Sequence, residues 1–268
     1  MKVQEIATVV TKERLADGIY STVLHSPEIV KTALPGQFVC VYCDDKAHLL
    51  PRPISICDID AAKGLLRLVY RVVGFGTDEL AGKGEGATVR LLGPIGTGYE
   101  KVAEGTERPV RILFGGGIGI PPMLLLAKEW SKAGYEVHAV LGYRTDDLFL
   151  IKDFEGYATC HIATDDGSVG THGTVLDALN AEGLVPAGAE DRTLLAACGP
   201  MPMLRGIAKL ATERNIPAYI SLEERMACGV GACLGCIVKS REVDGHSHVH
   251  NKRICTEGPV FAVTELCM

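Results

Sequence analysis

The sequence predicts an antiparallel β-barrel, then a doubly wound parallel α/β domain, then a small cysteine-rich module. Three observations predict this. Short strand-like runs at regular spacing fill residues 1 to about 100. From residue 109 onward, apolar strands alternate with helical patterns. Four cysteines then crowd a Gly- and Cys-rich tail between Ser221 and Met268.

The elements follow in order. Met1–Ile6 reads as a first strand. Gly36–Cys43 and Leu65–Val73 are strand-like runs bounded by Pro35-Gly36, Lys63-Gly64 and Gly74. Ala87–Leu92 is a further strand, closed by Gly93-Pro94. Val110–Phe114 opens the α/β part, followed by a glycine-rich turn and a helix from Pro121 to Ala133. Strands are expected near Val137–Leu141, Ala158–Ala163, Thr193–Ala197 and Ala218–Leu222, with helices near Gly173–Ala181 and Met201–Arg214. Domain boundaries are expected at 1–102, 103–220 and 221–268, which suits a chain of 268 residues.

Composition narrows the class. The net charge of −6 favours neither nucleic acid nor an anionic membrane. The amino-terminal segment lacks an apolar signal core, and no apolar run has the length of a bilayer span. These features place the protein in the cytoplasm. Cysteines in that compartment, spaced as the tail spaces them, mean metal or a cluster rather than disulfides. Cys40, Cys43, Cys57, Cys160 and Cys267 follow no such pattern and read as small buried hydrophobes.

The strongest chemical signal is Cys228-Gly229-Val230-Gly231-Ala232-Cys233-Leu234-Gly235-Cys236, with Cys255 nineteen positions later. This is the C-x4-C-x2-C…C spacing of a plant-type 2Fe-2S cluster. Two irons need four thiolates, here from one tight loop and one distant segment. Gly229, Gly231 and Gly235 let the backbone curl and aim its amides at sulfur. A zinc site is the competing reading, but zinc prefers paired cysteine knuckles. His246, His248 and His250 lie beside Asp244-Gly245 and read as a solvated turn.

Three further motifs carry phosphate or redox chemistry. Gly115-Gly116-Gly117-Ile118-Gly119-Ile120-Pro121-Pro122 lies between a strand and a helix, the context of a dinucleotide-binding turn. Pro121 and Pro122 suit a first helical turn. Cys198-Gly199-Pro200 follows the Leu194–Ala197 strand, where ligands of open α/β sheets bind; a plain helix entry fits equally well. In the barrel, Arg52-Pro53-Ile54-Ser55 offers a guanidinium for a pyrophosphate and a hydroxyl for a flavin ring nitrogen. Gly74–Leu80 reads as a helix start with Thr77 as N-cap, a second phosphate seat. By themselves these last two are also ordinary turn chemistry.

Together the four motifs resemble the ferredoxin–NADP reductase superfamily over residues 1 to about 220. The tail, Glu223-Glu224-Arg225-Met226-Ala227-Cys228 through Lys252-Arg253-Ile254-Cys255 and Gly258-Pro259-Val260-Phe261, is similar to that of the electron-transfer subunits of NAD-dependent dihydroorotate dehydrogenases. The resemblance implies an oxidoreductase subunit of de novo pyrimidine biosynthesis. FAD would contact Arg52, Pro53, Ile54, Ser55, Val69, Tyr70, Arg71, Gly76 and Thr77. NAD would meet Gly115, Gly116, Gly117, Gly119, Pro121, Cys198, Gly199 and Pro200. Cys228, Cys233, Cys236 and Cys255 would hold the 2Fe-2S cluster. Ser55 and Cys198 would lie nearest the hydride path. The partner would be an FMN-bearing catalytic subunit, in a complex of two copies of each. Ile54 stands where many superfamily members carry Tyr, so no aromatic ring is supplied there. The spacing to Cys255 is too short for a whole ferredoxin domain, which makes the tail a small module.

The resemblance also implies NAD rather than NADP; Asp146 and Asp147 suit a free ribose hydroxyl, and Arg144 beside them suits a 2′-phosphate. A flavin fits between nicotinamide, a two-electron carrier, and a one-electron cluster. A related enzyme reading is the flavin/iron–sulfur subunit of an NADH-dependent ferredoxin:NADP oxidoreductase or a sulfide dehydrogenase. A reading from another class is a non-catalytic assembly module with structural zinc.

Overall fold

The computed structural model describes residues 2–99, 108–245 and 248–268. The expected 102/103 boundary and His246 lie outside these described residues.

The first part is a closed six-stranded barrel. Its elements are β1 (Val3–Ala16), β2 (Ile19–His25), α1 (Pro27–Val30), β3 (Phe38–Tyr42), β4 (Arg52–Asp60), β5 (Leu65–Arg71), α2 (Phe75–Gly82) and β6 (Thr88–Ile95). The order around the barrel is β1-β2-β5-β4-β3-β6, all antiparallel. β1 closes the barrel because its length serves two neighbours. Val3–Thr8 pairs with β6 and Thr8–Ala16 with β2. Bulges at Val9/Thr11 and Arg14/Ala16 bend it between them. Two expectations need correction. β6 continues through Gly93-Pro94 to Ile95, because Gly93 still pairs with Val3 and Ile95 with Phe38. The bare Cα of Gly93 also leaves room for Val39, whose Cγ1 would lie 2.6 Å from a Cβ there. The cap of α2 is Gly74, not Thr77. Thr77 lies inside the first turn, where its hydroxyl donates to the Gly74 carbonyl at 2.9 Å and accepts from the Val73 amide at 3.0 Å.

The second part comprises β7 (Val110–Gly116), α3 (Pro121–Lys132), β8 (Glu136–Tyr143), α4 (Ile151–Phe154), β9 (Thr159–Thr164), β10 (Thr171–His172), α5 (Val175–Ala181), β11 (Thr193–Cys198), α6 (Met201–Glu213) and β12 (Ala218–Ser221). A capping box fixes the start of α5: Thr174 accepts from the Asp177 amide, and Asp177 accepts from the Thr174 amide. The tail adds β13 (Ile237–Lys239), β14 (Asn251–Arg253) and β15 (Val260–Ala262). β13 and β14 form a two-stranded ribbon, whereas β15 joins the main sheet, whose order is β10-β9-β8-β7-β11-β12-β15. All pairs in that sheet are parallel except β12–β15. The chain winds from β7 out through β8, β9 and β10, then returns to β11 on the other side of β7. The switch point therefore lies between β7 and β11, where ligands of such sheets bind.

Barrel and α/β part share apolar cores. Ala16, Ile19, Cys57 and Val69 of the barrel pack with Ile120, Leu124, Trp130 and Leu141. Leu125 of α3 reaches into the barrel's own core. Lys128 of α3 pairs with Asp58 of β4 at 2.5 Å, and Arg67 of β5 pairs with Asp153 of α4. A third core joins Phe38, Cys40 and Ile95 to Phe114, Cys236, Cys255 and Phe261, binding the tail to both parts.

Candidate functional site

Three groups of residues make up the candidate site. The first is on the barrel. Arg52, Pro53, Ile54 and Ser55 open β4, in register with Val41, Cys40, Val39 and Phe38 of β3. Alternation turns Ile54 into the barrel core, where it is 6% exposed. The Arg52 side chain lies over α2: a Cβ on Gly76 would sit 2.0 Å from its Nε. Only glycine allows that approach. Thr77 is buried one residue further on. Val69 and Tyr70 on β5 are buried, and Tyr70 shares a 3.1 Å hydrogen bond with Thr22. Arg71 ends β5 with its Nε buried and without a hydrogen-bond partner among the described residues. Two guanidiniums, one aimed over a helix start and one unsatisfied, fit an anionic phosphate group.

The second group occupies the switch point. Gly115 and Gly116 end β7, Gly117–Gly119 make a short 3-10 turn, and Pro121 begins α3. Cys198 ends β11 in register with Gly115. The glycines mostly admit protein rather than ligand. A Cβ on Gly119 would lie 2.3 Å from the Cys198 carbonyl oxygen, and one on Gly116 would lie 2.7 Å from the Met203 sulfur. Gly199 is pressed in turn by Met203. Gly117 alone of this set faces open space, in left-handed backbone at φ +53°. Pro121 and Pro122 have no amide hydrogens, and the Met123 amide already donates to Ile120 at 3.0 Å. The α3 terminus thus offers a dipole without the usual fan of donors. Burial pushes the Cys198 thiol up to about 12, with a hydrogen bond to Ser221 acting against it. The loop after β8 leaves Arg144, Asp146 and Asp147 exposed, with Asp147 accepting from the Asp17 amide at 3.4 Å.

The third group is the cysteine loop. Gly229 and Gly231 take φ +66° and +88°, and Leu234 is forced to +57°. The curl aims amides at sulfur: Val230 and Cys233 both donate to the Cys228 Sγ at 3.4 Å, and Gly235 donates to the Cys233 Sγ at 3.4 Å. Burial raises the Cys228 thiol, but these amides outweigh it and bring it down to about 6. Burial, followed by the neighbouring Cys236, pushes Cys255 up to about 12. The thiols lie as two neighbouring pairs, Cys228 beside Cys233 and Cys236 beside Cys255. Among the described residues no three metal-ligating side chains converge on one ion. Two pairs fit two irons, each taking two thiolates, better than a single zinc. Cys236 and Cys255 are buried, while Cys233 is exposed on a loop whose Val230, Leu234 and Ile237 are each nearly half exposed.

Comparison with known proteins decides between the readings. The iron-sulfur cluster binding domain of dihydroorotate dehydrogenase B matches residues 223–267. The dihydroorotate dehydrogenase B (NAD(+)) electron transfer subunit of Geobacillus kaustophilus (strain HTA426) is 41% identical over 267 residues, covering 99% of both chains. That of Bacillus caldolyticus is 41% identical over 269 residues, again covering 99% of both. The chain belongs to this electron transfer subunit family. The structure of an NADH-dependent reduced ferredoxin–NADP oxidoreductase, solved in a study of flavin-based electron bifurcation, superposes with a TM-score of 0.83 at 30% identity. It covers 98% of this chain and 90% of that one. A ferredoxin reductase of carbazole 1,9a-dioxygenase shares the fold, with a TM-score of 0.69 at 21% identity over 82% of this chain and 69% of that chain.

As a member of the dihydroorotate dehydrogenase B electron transfer subunits, the chain holds one contact that its sequence does not announce. Cys40 of β3 reaches the cysteine loop, and a Cβ on Gly229 would lie 2.8 Å from its sulfur. Its thiol is pushed up to about 12 by burial and by nearby Cys228. No spacing in the sequence connects residue 40 to residue 229. The other unassigned cysteines divide. Cys43 and Cys57 are buried as expected, but Cys160 is only half-buried and Cys267 is exposed. Cys160 lies towards the edge of the sheet on β9, and Cys267 follows the last packed residue, Leu266, so neither is enclosed. His248 and His250 are exposed in their turn.

Proposed function

We propose that this chain carries FAD on its barrel and a 2Fe-2S cluster in its tail, and passes electrons from the FMN of a dihydroorotate-oxidising catalytic subunit to NAD. The observation that carries this is the contact between the two seats. Cys40 pairs with Pro53 of the flavin strand on one side and touches Gly229 of the cysteine loop on the other. Arg52, Arg71, Gly76 and Thr77 would hold the flavin phosphates. Pro53, Ile54, Ser55, Val69 and Tyr70 would frame its ring and ribityl chain. The NAD contacts would be Gly115, Gly116, Gly117, Gly119, Pro121, Cys198, Gly199 and Pro200, with Gly117 the open approach. Cys228 and Cys233 would take one iron, Cys236 and Cys255 the other. A bound flavin supplies the exchange between hydride and single electrons.

The chain's own residues position and exclude. Burial holds the Cys198 thiol and the neighbouring Tyr99 hydroxyl protonated, so neither supplies a base at the switch point. The exposed apolar side chains of Val230, Leu234 and Ile237 on the loop of exposed Cys233 suit a partner that covers the cluster's open edge. We assign the parts as 1–102 for flavin, 103–220 for NAD and 221–268 for the cluster, the last anchored to the second by β15. Two copies of each subunit and a cytoplasmic setting complete the reading. Among the described residues no helix is long and apolar enough to cross a membrane. The similarity to the bifurcating oxidoreductase supports a second reading, a subunit of that enzyme type. Isolation of the native complex separates them. FAD, FMN, iron and acid-labile sulfide beside a dihydroorotate-oxidising subunit support the first; a different partner, or absence of sulfide and FAD, rejects it.

A further inference from the structure

The nine residues between β3 and β4, 43–51, fold against α2 and are clamped to it. The Asp44 and Asp45 amides donate to the Glu79 carboxylate at 2.8 and 3.3 Å, and Lys83 pairs with Asp44 at 2.5 Å. Within the loop, Asp45 accepts from the Ala47 amide at 2.9 Å and meets the His48 Nδ1 at 2.8 Å. This orients the His48 ring flat against Phe75, with centroids 3.9 Å apart and planes 7° from parallel. The pair belongs to none of the three apolar cores. Phe75 is 47% exposed, and Leu49 and Leu50 beside His48 in the chain, with Val73 two residues before Phe75, are 78%, 56% and 80% exposed. An organised aromatic stack in an exposed apolar patch is a platform awaiting a flat apolar group.

Its position says which group. Phe75 adjoins Gly76, the residue under the Arg52 guanidinium, and Arg52 also donates to the Leu50 carbonyl. Ser55 lies three residues, about 10 Å, along β4 from Arg52. A flavin laid with its ring near Ser55 and its phosphate at Arg52 runs on directly into the 48–50 loop and Phe75. We propose that His48 and Phe75 form the adenine platform of the flavin site, so that these two rings select a dinucleotide flavin over a mononucleotide. The inference rests on the FAD reading above. The adenine adds a third ring to the existing stack, while Leu49, Leu50 and Val73 shield its edges. A mononucleotide ends at the phosphate and leaves the platform bare.

The test uses the full-length chain, stripped of flavin and titrated separately with FAD and with FMN, with binding read by flavin fluorescence. Phe75→Ala is expected to weaken FAD about tenfold, the scale of base–aromatic stacking, and to leave FMN unchanged. His48→Ala is expected to act in the same direction, and Phe75→Tyr to restore the preference for FAD. Thermal melts of each variant confirm folding. Equal losses for both flavins, or unchanged FAD binding in a folded Phe75→Ala chain, overturn the platform alone. Weakened binding of the catalytic subunit by Phe75→Ala with the FAD preference intact assigns the patch to protein contact and also overturns it. A wild-type chain that binds neither flavin sinks the FAD reading, and the platform with it.

Discussion

The two glycine-rich loops of this chain both use glycine for close approach, but only one uses it to aim amides at sulfur. In the 115–119 turn, Gly116 and Gly119 exist so that the protein's own backbone and Met203 can press close, and Gly117 alone opens outward. In the 228–236 loop, Gly229 and Gly231 supply left-handed bends that turn amides onto sulfur. The thiols beside the loops differ accordingly. Cys198 is half-buried and pushed up to about 12, whereas Cys228 is drawn down to about 6. A glycine pattern therefore does not name its purpose. The surroundings do: around the 115–119 turn the Cys198 backbone and Met203 fill the space of the missing Cβ atoms, whereas in the cysteine loop Cys40 and Thr256 fill it and the left-handed bends also turn donors onto sulfur.

The largest expected effect breaks the second loop chemically. Cys233→Ser should remove iron and acid-labile sulfide and abolish dihydroorotate-dependent NAD reduction in the complex. Direct reduction of an artificial dye by NADH should largely persist. Intact dihydroorotate-to-NAD activity in that variant counts against the scheme. Next, the thiols should separate by pH. In chain freed of iron, alkylation of Cys228 should rise as pH climbs through about 6, because the folded chain loses that proton well below the ordinary thiol value of 9.0. Cys198 retains its proton until about 12 and should stay unlabelled across the same range. Peptide mapping after iodoacetamide treatment from pH 5 to 9 reads both.

Backbone substitutions sharpen the contrast at smaller scale. Gly119→Ala drives a methyl into the Cys198 carbonyl and should cost about 1–3 kcal/mol in urea unfolding while raising the KM for NADH. Gly117→Ala meets no atom and should cost about 1 kcal/mol, from its left-handed backbone alone. Gly235→Ala should do least, within about 0.5 kcal/mol, since its Cβ would stand at an ordinary 3.4 Å from the Cys233 sulfur. A Gly235→Ala loss as large as that of Gly119→Ala would undo the distinction drawn between the loops.

Much of this was legible in the chain. The helix expected at Pro121–Ala133 spans Pro121–Lys132, and that at Met201–Arg214 spans Met201–Glu213. The five parallel strands expected fall within two residues of their expected positions, because apolar runs between glycine and proline punctuation are local signals, whereas the two-residue β10 was not anticipated. Failures came where pairing overrode punctuation. Gly93-Pro94 looks like a strand end, yet two neighbouring strands keep the ladder going. Thr77 looks like a cap, yet the helix begins two residues earlier, so its hydroxyl turns back to Gly74. The His48–Phe75 stack gave no signal, since its rings come from separate segments and neither belongs to a periodic pattern.

The sequence by itself determined the kinds of parts: a barrel, an alternating α/β sheet, and four thiolates spaced for two irons. Each depends on residues close in the chain, whose spacing carries the pattern. Tertiary structure alone decided how the parts meet. It placed Cys40 behind Gly229, set Cys198 against Gly119, and sent β15 back to β12 so that the tail is locked to the sheet. Those contacts join segments far apart in sequence, and strand order and packing, which no local pattern encodes, bring them together.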